Sequence, residues 1–228
     1  MLKGFGRDGD ENFFGLAADL ADSARPDNRP DSRPGAQETR RGVAFKVVSR
    51  LGARLHAVEL LAVRFAARTA RPRALRLLAI TLSKMGNGWV YPLLGAVILA
   101  RWGLIGLTMI APAGVNALLL HSIYPIIKRA FVRRRPFQAA PELPSLLDAL
   151  DAHSFPSGHM MTMAGVLTPI VMLWPASTLW AVPMAVCVAW SRVATAHHYL
   201  SDVLAGAVLG IGVGYPARAC LVSFWGLR

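Results

Sequence analysis

Three polar segments, KRAFVRRRP (128–136), PSGH (156–159) and SRVATAHHYLSD (191–202), interrupt an otherwise apolar part of the sequence. They contribute cations, a hydroxyl beside a glycine, histidines and a carboxylate: Lys128, Arg135, Arg192, Ser157, Gly158, His159, His198 and Asp202. Arginine forks and a lysine ammonium match the oxygens of a tetrahedral oxyanion. Ser157 and the N–H of Gly158, where a helix is predicted to begin, can donate to the same oxygens. The three segments therefore predict a phosphate-binding site.

The third segment places a histidine and a carboxylate on one helical face. His198 and Asp202 are four residues apart, so their side chains share a side at the start of a helix. Asp202 can then hold His198 in one tautomer and stabilise its cation, or it can serve as a helix cap. His197 is the alternative histidine, but a spacing of five residues turns it away from Asp202. His159 is left as a candidate proton donor.

The segments resemble the signatures of the type 2 phosphatidic acid phosphatase (PAP2) superfamily. The patterns K-x6-R-P, P-S-G-H and S-R-x5-H-x3-D occur in that order, and all three match without a gap. The resemblance covers roughly residues 75–222. Because the superfamily holds lipid phosphate phosphatases and vanadium haloperoxidases, the resemblance implies a membrane phosphatase that acts on a lipid phosphate or diphosphate.

The resemblance also implies a mechanism. His198 would attack phosphorus and form a phosphohistidine, and Asp202 would orient it and balance its charge. His159 would protonate the leaving lipid oxygen and then activate water. The other members of the set would stabilise charge on the equatorial oxygens: Lys128, Arg135, Arg192, Ser157 and Gly158. No cofactor is expected, because a metal phosphatase gathers several carboxylates and only Asp202 lies within the segments.

The composition indicates a membrane protein with an uneven charge. Hydrophobic residues make up 54% of the chain, and the mean hydropathy is +0.41. The net charge is +12, and 8 of the 13 acidic residues lie in the first 40 positions. The apolar runs are too long for a soluble nucleic-acid-binding protein, so the expected partners are the lipid bilayer and a phosphorylated lipid substrate. Cys187 and Cys220 are expected to be buried free thiols.

Three regions are predicted along the chain. Residues 1–42 form a polar tail that is expected to be disordered, with prolines 26, 30 and 34 opposing a helix. Residues 43–84 form a basic amphipathic helical region, which either lies on the membrane surface or packs on the rest of the domain. Residues 85–228 form the transmembrane PAP2-like phosphatase domain.

The predicted fold class is an all-α, polytopic membrane helical bundle. Since a span needs about 20 apolar residues, the uncharged runs indicate about five transmembrane helices. They are placed at about 86–101, 104–127, 157–174, 178–195 and 202–222. Alternate helix ends share a side of the membrane, so the three polar segments are expected to meet on one face. Further basic residues of the first segment are interpreted as membrane anchors: Arg129, Arg133 and Arg134. Three glycines of the last span, at a spacing of four, predict close helix packing: Gly206, Gly210 and Gly214.

The resemblance and the charge distribution give different orientations for the site. Many family members have six spans, and their site usually faces outward. With five spans the N-terminus lies on the side of the site, and that side carries most of the basic residues, so the positive-inside rule predicts a cytoplasmic site. Both hypotheses are kept for a multi-pass protein of the bacterial cytoplasmic membrane, and no feature of the sequence selects an oligomeric state.

The predicted function is that of a metal-independent lipid phosphatase. Polyprenyl diphosphate is the first candidate substrate, and phosphatidic acid, phosphatidylglycerol phosphate and related lipids follow. One alternative is a haloperoxidase that holds vanadate in the same site, which the apolar spans oppose because those relatives are soluble. The other is a non-catalytic membrane interaction protein, which the intact His159, His198 and Asp202 oppose.

Overall fold

The computed structural model describes residues 34–86, 88–143, 145–149 and 151–225. These residues contain helices and no β-strand, so the prediction of an all-α fold is confirmed. Residues 1–33 of the predicted tail lie outside the described residues. The chain divides into two compact units between Leu61 and Ala62. The predicted boundary after residue 84 stays a prediction. The second unit contains every residue of the predicted site.

The first helix, α1 (Pro34–Thr69), begins earlier than the predicted amphipathic region. Its first residue is Pro34 and not Val43, because a proline loses no hydrogen bond at the first helical position. Between residue 50 and the end of the first unit its large apolar side chains are mostly exposed, with 58% for Leu55 and 62% for Val58. A helix that lies on a membrane surface presents an apolar face of this kind.

Further helices follow in the second unit. They are α2 (Arg73–Met85), α3 (Val90–Trp102), α4 (Leu107–Ala130), α5 (Pro136–Ala139), α6 (Gly158–Leu173), α7 (Thr178–Ala194) and α8 (Leu200–Trp225). Short 3-10 turns at Gly103–Gly106 and Pro175–Ser177 connect α3 to α4 and α6 to α7. Gly103 has a φ of +58°, which glycine adopts without strain.

Helix α6 lies at the centre of the second unit and packs against α4, α7 and α8. Every side chain of α6 from Met160 to Leu167 is buried. The α8 glycines face this helix so closely that a Cβ at Gly206 or Gly210 would overlap main-chain atoms of α6 or of the residue before it. The predicted close packing is therefore confirmed. It brings the first turns of α6 and α8, which carry site residues, against each other.

Two helical segments of the described residues are long and apolar enough to cross a membrane, Val90–Ala130 and Pro175–Ala194. The first contains the turn at Gly103 and corresponds to two of the predicted spans. Helix α6 and Leu200–Pro216 of α8 are shorter apolar helices. The number of five spans therefore stays a prediction.

One cysteine differs from the expectation. Cys187 of α7 is a free thiol, but it is exposed and not buried as predicted, because it lies on the outward side of the helix. The side chain of Cys220 lies outside the described side chains.

Candidate active site

The structure brings several helix ends together at one place in the second unit. Lys128 lies in the last turn of α4 and Arg192 in the last turn of α7. The other predicted site residues stand at helix starts or in loops: Arg135 before α5, Ser157, Gly158 and His159 at the start of α6, His198 before α8 and Asp202 in its first turn. The N–H of Ser157 donates to the carbonyl of Asp202 at 3.0 Å, which joins the second and third segments.

A carboxylate that the sequence analysis did not select joins two of the predicted cations. Oδ1 of Asp151 lies 2.6 Å from Nζ of Lys128 and 2.6 Å from Nη2 of Arg135. The hydroxyl of Tyr124 donates to Oδ2 of Asp151 at 2.6 Å. Burial acts to raise the pKa of Asp151, but the hydrogen bonds from Lys128 and Tyr124 and the nearby charges outweigh it and hold the pKa well below its ordinary value. Asp151 is therefore charged at neutral pH and neutralises part of the positive field.

These two cations have further acceptors in the protein. Nη1 of Arg135 donates to the carbonyl of His197 at 2.8 Å, and its Nε donates to the carbonyl of Asp151 at 3.2 Å. The ammonium of Lys128 also donates to the carbonyl of His153. The side chains of Lys128 and Arg135 are buried, so these contacts fix where their charges stand.

His198 is held by the main chain and not directly by Asp202. Its Nδ1 lies 2.7 Å from the carbonyl oxygen of Ser154 and 3.7 Å from Oδ2 of Asp202, which is beyond hydrogen-bond distance. A carbonyl only accepts, so Nδ1 carries the proton and the lone pair stands on Nε2. Burial and the charges of Arg192 and Arg135 lower the pKa of His198 well below its ordinary value. His198 is therefore neutral at neutral pH.

Asp202 is engaged by the start of α8 and by an arginine. Its Oδ2 accepts the N–H of Tyr199 at 2.8 Å. Asp202 therefore caps α8 from the third position of the helix, and it is not itself the N-cap residue, because α8 begins at Leu200. Its Oδ1 accepts from Nη1 of Arg133 at 2.6 Å. The interpretation of Arg133 as a membrane anchor is therefore wrong. The fully buried carboxylate of Asp202 requires a counter-ion, and Arg133 provides it while lying 4.0 Å over the ring of Tyr199.

The other two histidines of the segments have different environments. Nε2 of His159 lies 3.0 Å from the carbonyl oxygen of Ser83 on α2. Nδ1 of His197 lies 2.8 Å from the carbonyl oxygen of Thr195, and its ring packs at 5.5 Å from that of Phe137. Burial and the charge of Arg192 lower the pKa of His197 to about 4. His197 is therefore neutral and packed against Phe137. Its Nδ1 contacts the nearby carbonyl of Thr195, whereas Nδ1 of His198 contacts the distant carbonyl of Ser154.

The start of α6 and the end of α7 form one side of the site, here called the α6–α7 side. Two donors on it have no hydrogen-bond partner within the described part of the chain. They are Oγ of Ser157 and Nε of Arg192, and both atoms are buried. Nη1 of Arg192 donates to the hydroxyl of Ser83. The N–H of Gly158 belongs to the first turn of α6, where main-chain donors have no partner within the helix. Buried donors rarely lack partners, so a bound oxyanion is a natural acceptor for this group.

A neutral histidine with its lone pair on Nε2, fixed cations and donors without a partner suit nucleophilic attack on a phosphoryl group. Among the described residues, no three of the types His, Cys, Asp and Glu form a cluster that could hold a metal ion. The helical fold of the described residues and this arrangement of donors and cations are those expected of an enzyme of phosphoryl transfer.

The comparison with known proteins identifies the family. A sequence profile of the PAP2 superfamily matches residues 101–225. The decaprenylphosphoryl-5-phosphoribose phosphatase of Mycobacterium tuberculosis is 35% identical over 130 residues, which are 56% of this chain and 68% of the relative. The chain therefore belongs to the PAP2 superfamily and is a phosphatase of its lipid phosphate group.

Two solved structures share the fold. LpxE of Aquifex aeolicus superposes with a TM-score of 0.60 at 22% identity, over 70% of this chain and 94% of that one. The transmembrane PAP2-type phosphatidylglycerolphosphate phosphatase of Bacillus subtilis superposes with a TM-score of 0.56 at 21% identity, over 95% and 96%. The apolar helical segments, in a chain of the lipid phosphatase group of this family, indicate a membrane protein.

Proposed function

We propose that this phosphatase hydrolyses the terminal phosphate of a lipid phosphate or diphosphate through a phosphohistidine on Nε2 of His198, without a metal ion. The observation that carries the proposal is the hydrogen bond from Nδ1 of His198 to Ser154, because it leaves the lone pair on Nε2. The positive charges of Lys128, Arg135 and Arg192 would stabilise the negative charge on the phosphoryl oxygens, as a metal ion does in other phosphatases.

The reaction has two halves. In the first, Nε2 of His198 attacks phosphorus while the bond between phosphorus and the bridging oxygen breaks, and His159, which enters this half in its doubly protonated form, gives one proton to that oxygen. The lipid leaves as an alcohol from a monophosphate, or as a lipid phosphate from a diphosphate. In the second half, His159 takes a proton from water, the water oxygen attacks phosphorus, and the bond to His198 breaks. Inorganic phosphate is released and His198 is again neutral.

The remaining site residues are proposed to bind the phosphoryl group or to orient the nucleophile. Ser157, the N–H of Gly158 and Arg192 would donate to its equatorial oxygens, since these donors include the atoms without a partner in the described protein. Lys128 and Arg135 would stabilise the negative charge from positions that Asp151 fixes. Asp202 would orient His198 indirectly, by capping the helix that follows it.

The proposed substrate is a polyprenyl lipid. Polyprenyl diphosphate remains the first candidate. The similar phosphatase of Mycobacterium tuberculosis, whose name specifies decaprenylphosphoryl-5-phosphoribose, adds a polyprenyl-linked sugar phosphate as a close candidate. Phosphatidic acid and phosphatidylglycerol phosphate are the lipids to compare, because they also carry a terminal phosphate but have acyl chains in place of the polyprenyl chain.

The proposed arrangement in the membrane has five spans, with residues 85–228 as the transmembrane domain and the basic region before it at the membrane surface. The positive-inside rule favours a site on the cytoplasmic side of a bacterial cytoplasmic membrane. A single cysteine at position 20, in a chain carrying Cys187→Ser and Cys220→Ser, tests this orientation. A membrane-impermeant thiol reagent should label it only after the cells are opened, and labelling of intact cells would support the outward orientation instead.

The catalytic proposal is tested by phosphate release from detergent-purified protein in EDTA. A polyprenyl diphosphate, a polyprenyl-linked sugar phosphate and phosphatidic acid are compared at equal mole fraction. We expect release without metal and the highest kcat/KM for a polyprenyl lipid. His198→Ala should abolish release, whereas His121→Ala should retain it, because His121 is exposed and its Nδ1 contacts the carbonyl of Ala117 in its own helix. Release that requires a divalent metal, or that persists in His198→Ala, would contradict the proposal.

A further inference from the structure

We propose that the end of α2, with Ser83 in its last turn and Gly86 directly after it, is a further part of the active site that positions His159 and Arg192. The inference rests on the proposed roles of these two residues. Ser83 and Gly86 precede the region matched by the family profile, which begins at residue 101, and they belong to none of the three polar segments. Both residues are buried.

The carbonyl of Ser83 sets the tautomer of His159. It lies 3.0 Å from Nε2, and because a carbonyl only accepts, Nε2 keeps a proton throughout the reaction. Nδ1 is then the nitrogen that exchanges a proton with the leaving oxygen and with water. Ser83 thus does for His159 what Ser154 does for His198: a main-chain oxygen fixes the proton on one ring nitrogen.

Gly86 provides the space for the ring of His159. A Cβ at this position would lie less than 3.0 Å from Cδ2 of His159. The backbone of Gly86 has a φ of −63° and a ψ of −8°, which any residue adopts, so the conformation does not require glycine. The close approach of the histidine ring is therefore the physical reason for glycine here.

The hydroxyl of Ser83 orients the third cation. It accepts a hydrogen bond from Nη1 of Arg192, and both side chains are buried, with 1% of Ser83 and 6% of Arg192 exposed. Nε of the same guanidinium has no partner among the described residues. Ser83 therefore holds one edge of Arg192 and leaves the other edge for an oxyanion.

Gly86→Ala tests the effect on His159. The substitution should displace the ring and lower kcat by about tenfold to a hundredfold, since a misplaced proton donor costs turnover more than binding. KM should change little. The loss should be smaller with p-nitrophenyl phosphate, whose leaving group departs without a proton. Gly95→Ala is the matched control, because no described neighbouring atom lies within 4 Å of a Cβ built there.

Ser83→Ala tests the effect on Arg192. Loss of the hydroxyl should weaken inhibition by orthovanadate, a phosphate analogue, about tenfold, and Ser83→Thr should restore it because it keeps the hydroxyl. Ser177→Ala is the matched control. Ser177 is equally buried, and its hydroxyl has no partner in the described structure.

The outcomes separate this inference from the proposed function. If the wild type releases phosphate and both variants match their controls, the role of Ser83 and Gly86 is overturned while the function stands. If the wild type releases no phosphate from any of the lipids, the function fails. The thermal shift caused by orthovanadate then still tests the site: it should be lost in Ser83→Ala and kept in Ser177→Ala, and an equal shift in both would overturn the inference.

Discussion

The two sides of the proposed active site, one with Lys128 and Arg135 and the other with Ser157 and Arg192, differ in how their hydrogen-bond donors are occupied. On the α4 side, Lys128 and Arg135 share the carboxylate of Asp151 and donate to main-chain carbonyls. On the α6–α7 side, Ser157 and Arg192 keep a buried donor atom without a partner in the described protein. The cations of the first side therefore have acceptors within the described protein, whereas each residue of the second side has a donor atom that lacks an acceptor there.

This difference assigns different tasks to the two sides. Arg192 has a donor atom without an acceptor, so it gains a hydrogen bond when a phosphate binds. Substitution of this arginine therefore weakens both phosphate binding and stabilisation of the transition state. A cation that is already paired contributes through its charge, which Asp151 partly cancels. We therefore expect the α6–α7 side to hold the phosphate and the α4 side to adjust the field around it.

Removal of Arg192 should have the largest effect among the binding residues. Arg192→Gln should lower kcat/KM by about 10²–10³-fold, the usual cost of one donor to a transition-state oxyanion. Lys128→Gln should cost less, because the field of Lys128 is partly neutralised in the free enzyme. Steady-state kinetics of both variants, with Arg101→Gln as a control outside the site, measure the contrast. A larger loss for Lys128→Gln would reverse the assignment of the two sides.

Asp151→Asn should have a smaller effect that reveals the role of the α4 side. Without the carboxylate, Lys128 and Arg135 repel each other and lose their fixed positions, so KM should rise about tenfold. Asp148→Asn is the control, because Asp148 lies in the same loop and is exposed. A fall in KM would show that Asp151 competes with the phosphate and does not position its cations.

Arg133→Gln should lower stability more than activity. The buried carboxylate of Asp202 loses its closest cation, which we expect to lower the free energy of unfolding by about 2 kcal/mol. Thermal unfolding in detergent measures this effect. Arg134→Gln provides the comparison, since Arg134 is the exposed neighbour. Equal midpoints of thermal unfolding for the two variants would contradict the counter-ion role and support the interpretation of Arg133 as a membrane anchor.

The smallest of the expected effects concerns the pH dependence of kcat/KM. Burial, followed by the charges of Arg192 and Arg135, lowers the pKa of His198, and the neutral form is the nucleophile. The acid limb of kcat/KM should therefore lie below the ordinary histidine value of 6.5, once the ionisation of the substrate phosphate is accounted for. A limb at or above 6.5 that persists after this correction would contradict the neutral, buried state of His198.

The sequence predicts the helix ends of the site well because they depend on local patterns. The uncharged runs end at Lys128 and Arg192, and Gly158 begins a helix, so these positions follow from composition and spacing. The glycines of α8 reveal the tight contact with α6 because their spacing of four repeats along one helical face.

The partners of the site residues could not be predicted, because they come from distant parts of the chain. Asp151 and Arg133 look like an ordinary loop acid and an ordinary helix-end cation. Their roles arise only when folding places them beside Arg135 and Asp202. The main-chain oxygens of Ser83 and Ser154 carry no sequence signal at all.

The measurement that tests the account most directly is the trapping of the phosphorylated enzyme. Purified protein in EDTA is mixed with a polyprenyl diphosphate labelled on its terminal phosphate, quenched rapidly, and digested for mass spectrometry. The account predicts a phosphoryl group on His198 that is stable in alkali and lost in acid, and no such label in His198→Ala. Label on another residue, or the same label in His198→Ala, would contradict the central claim that Nε2 of His198 is the nucleophile.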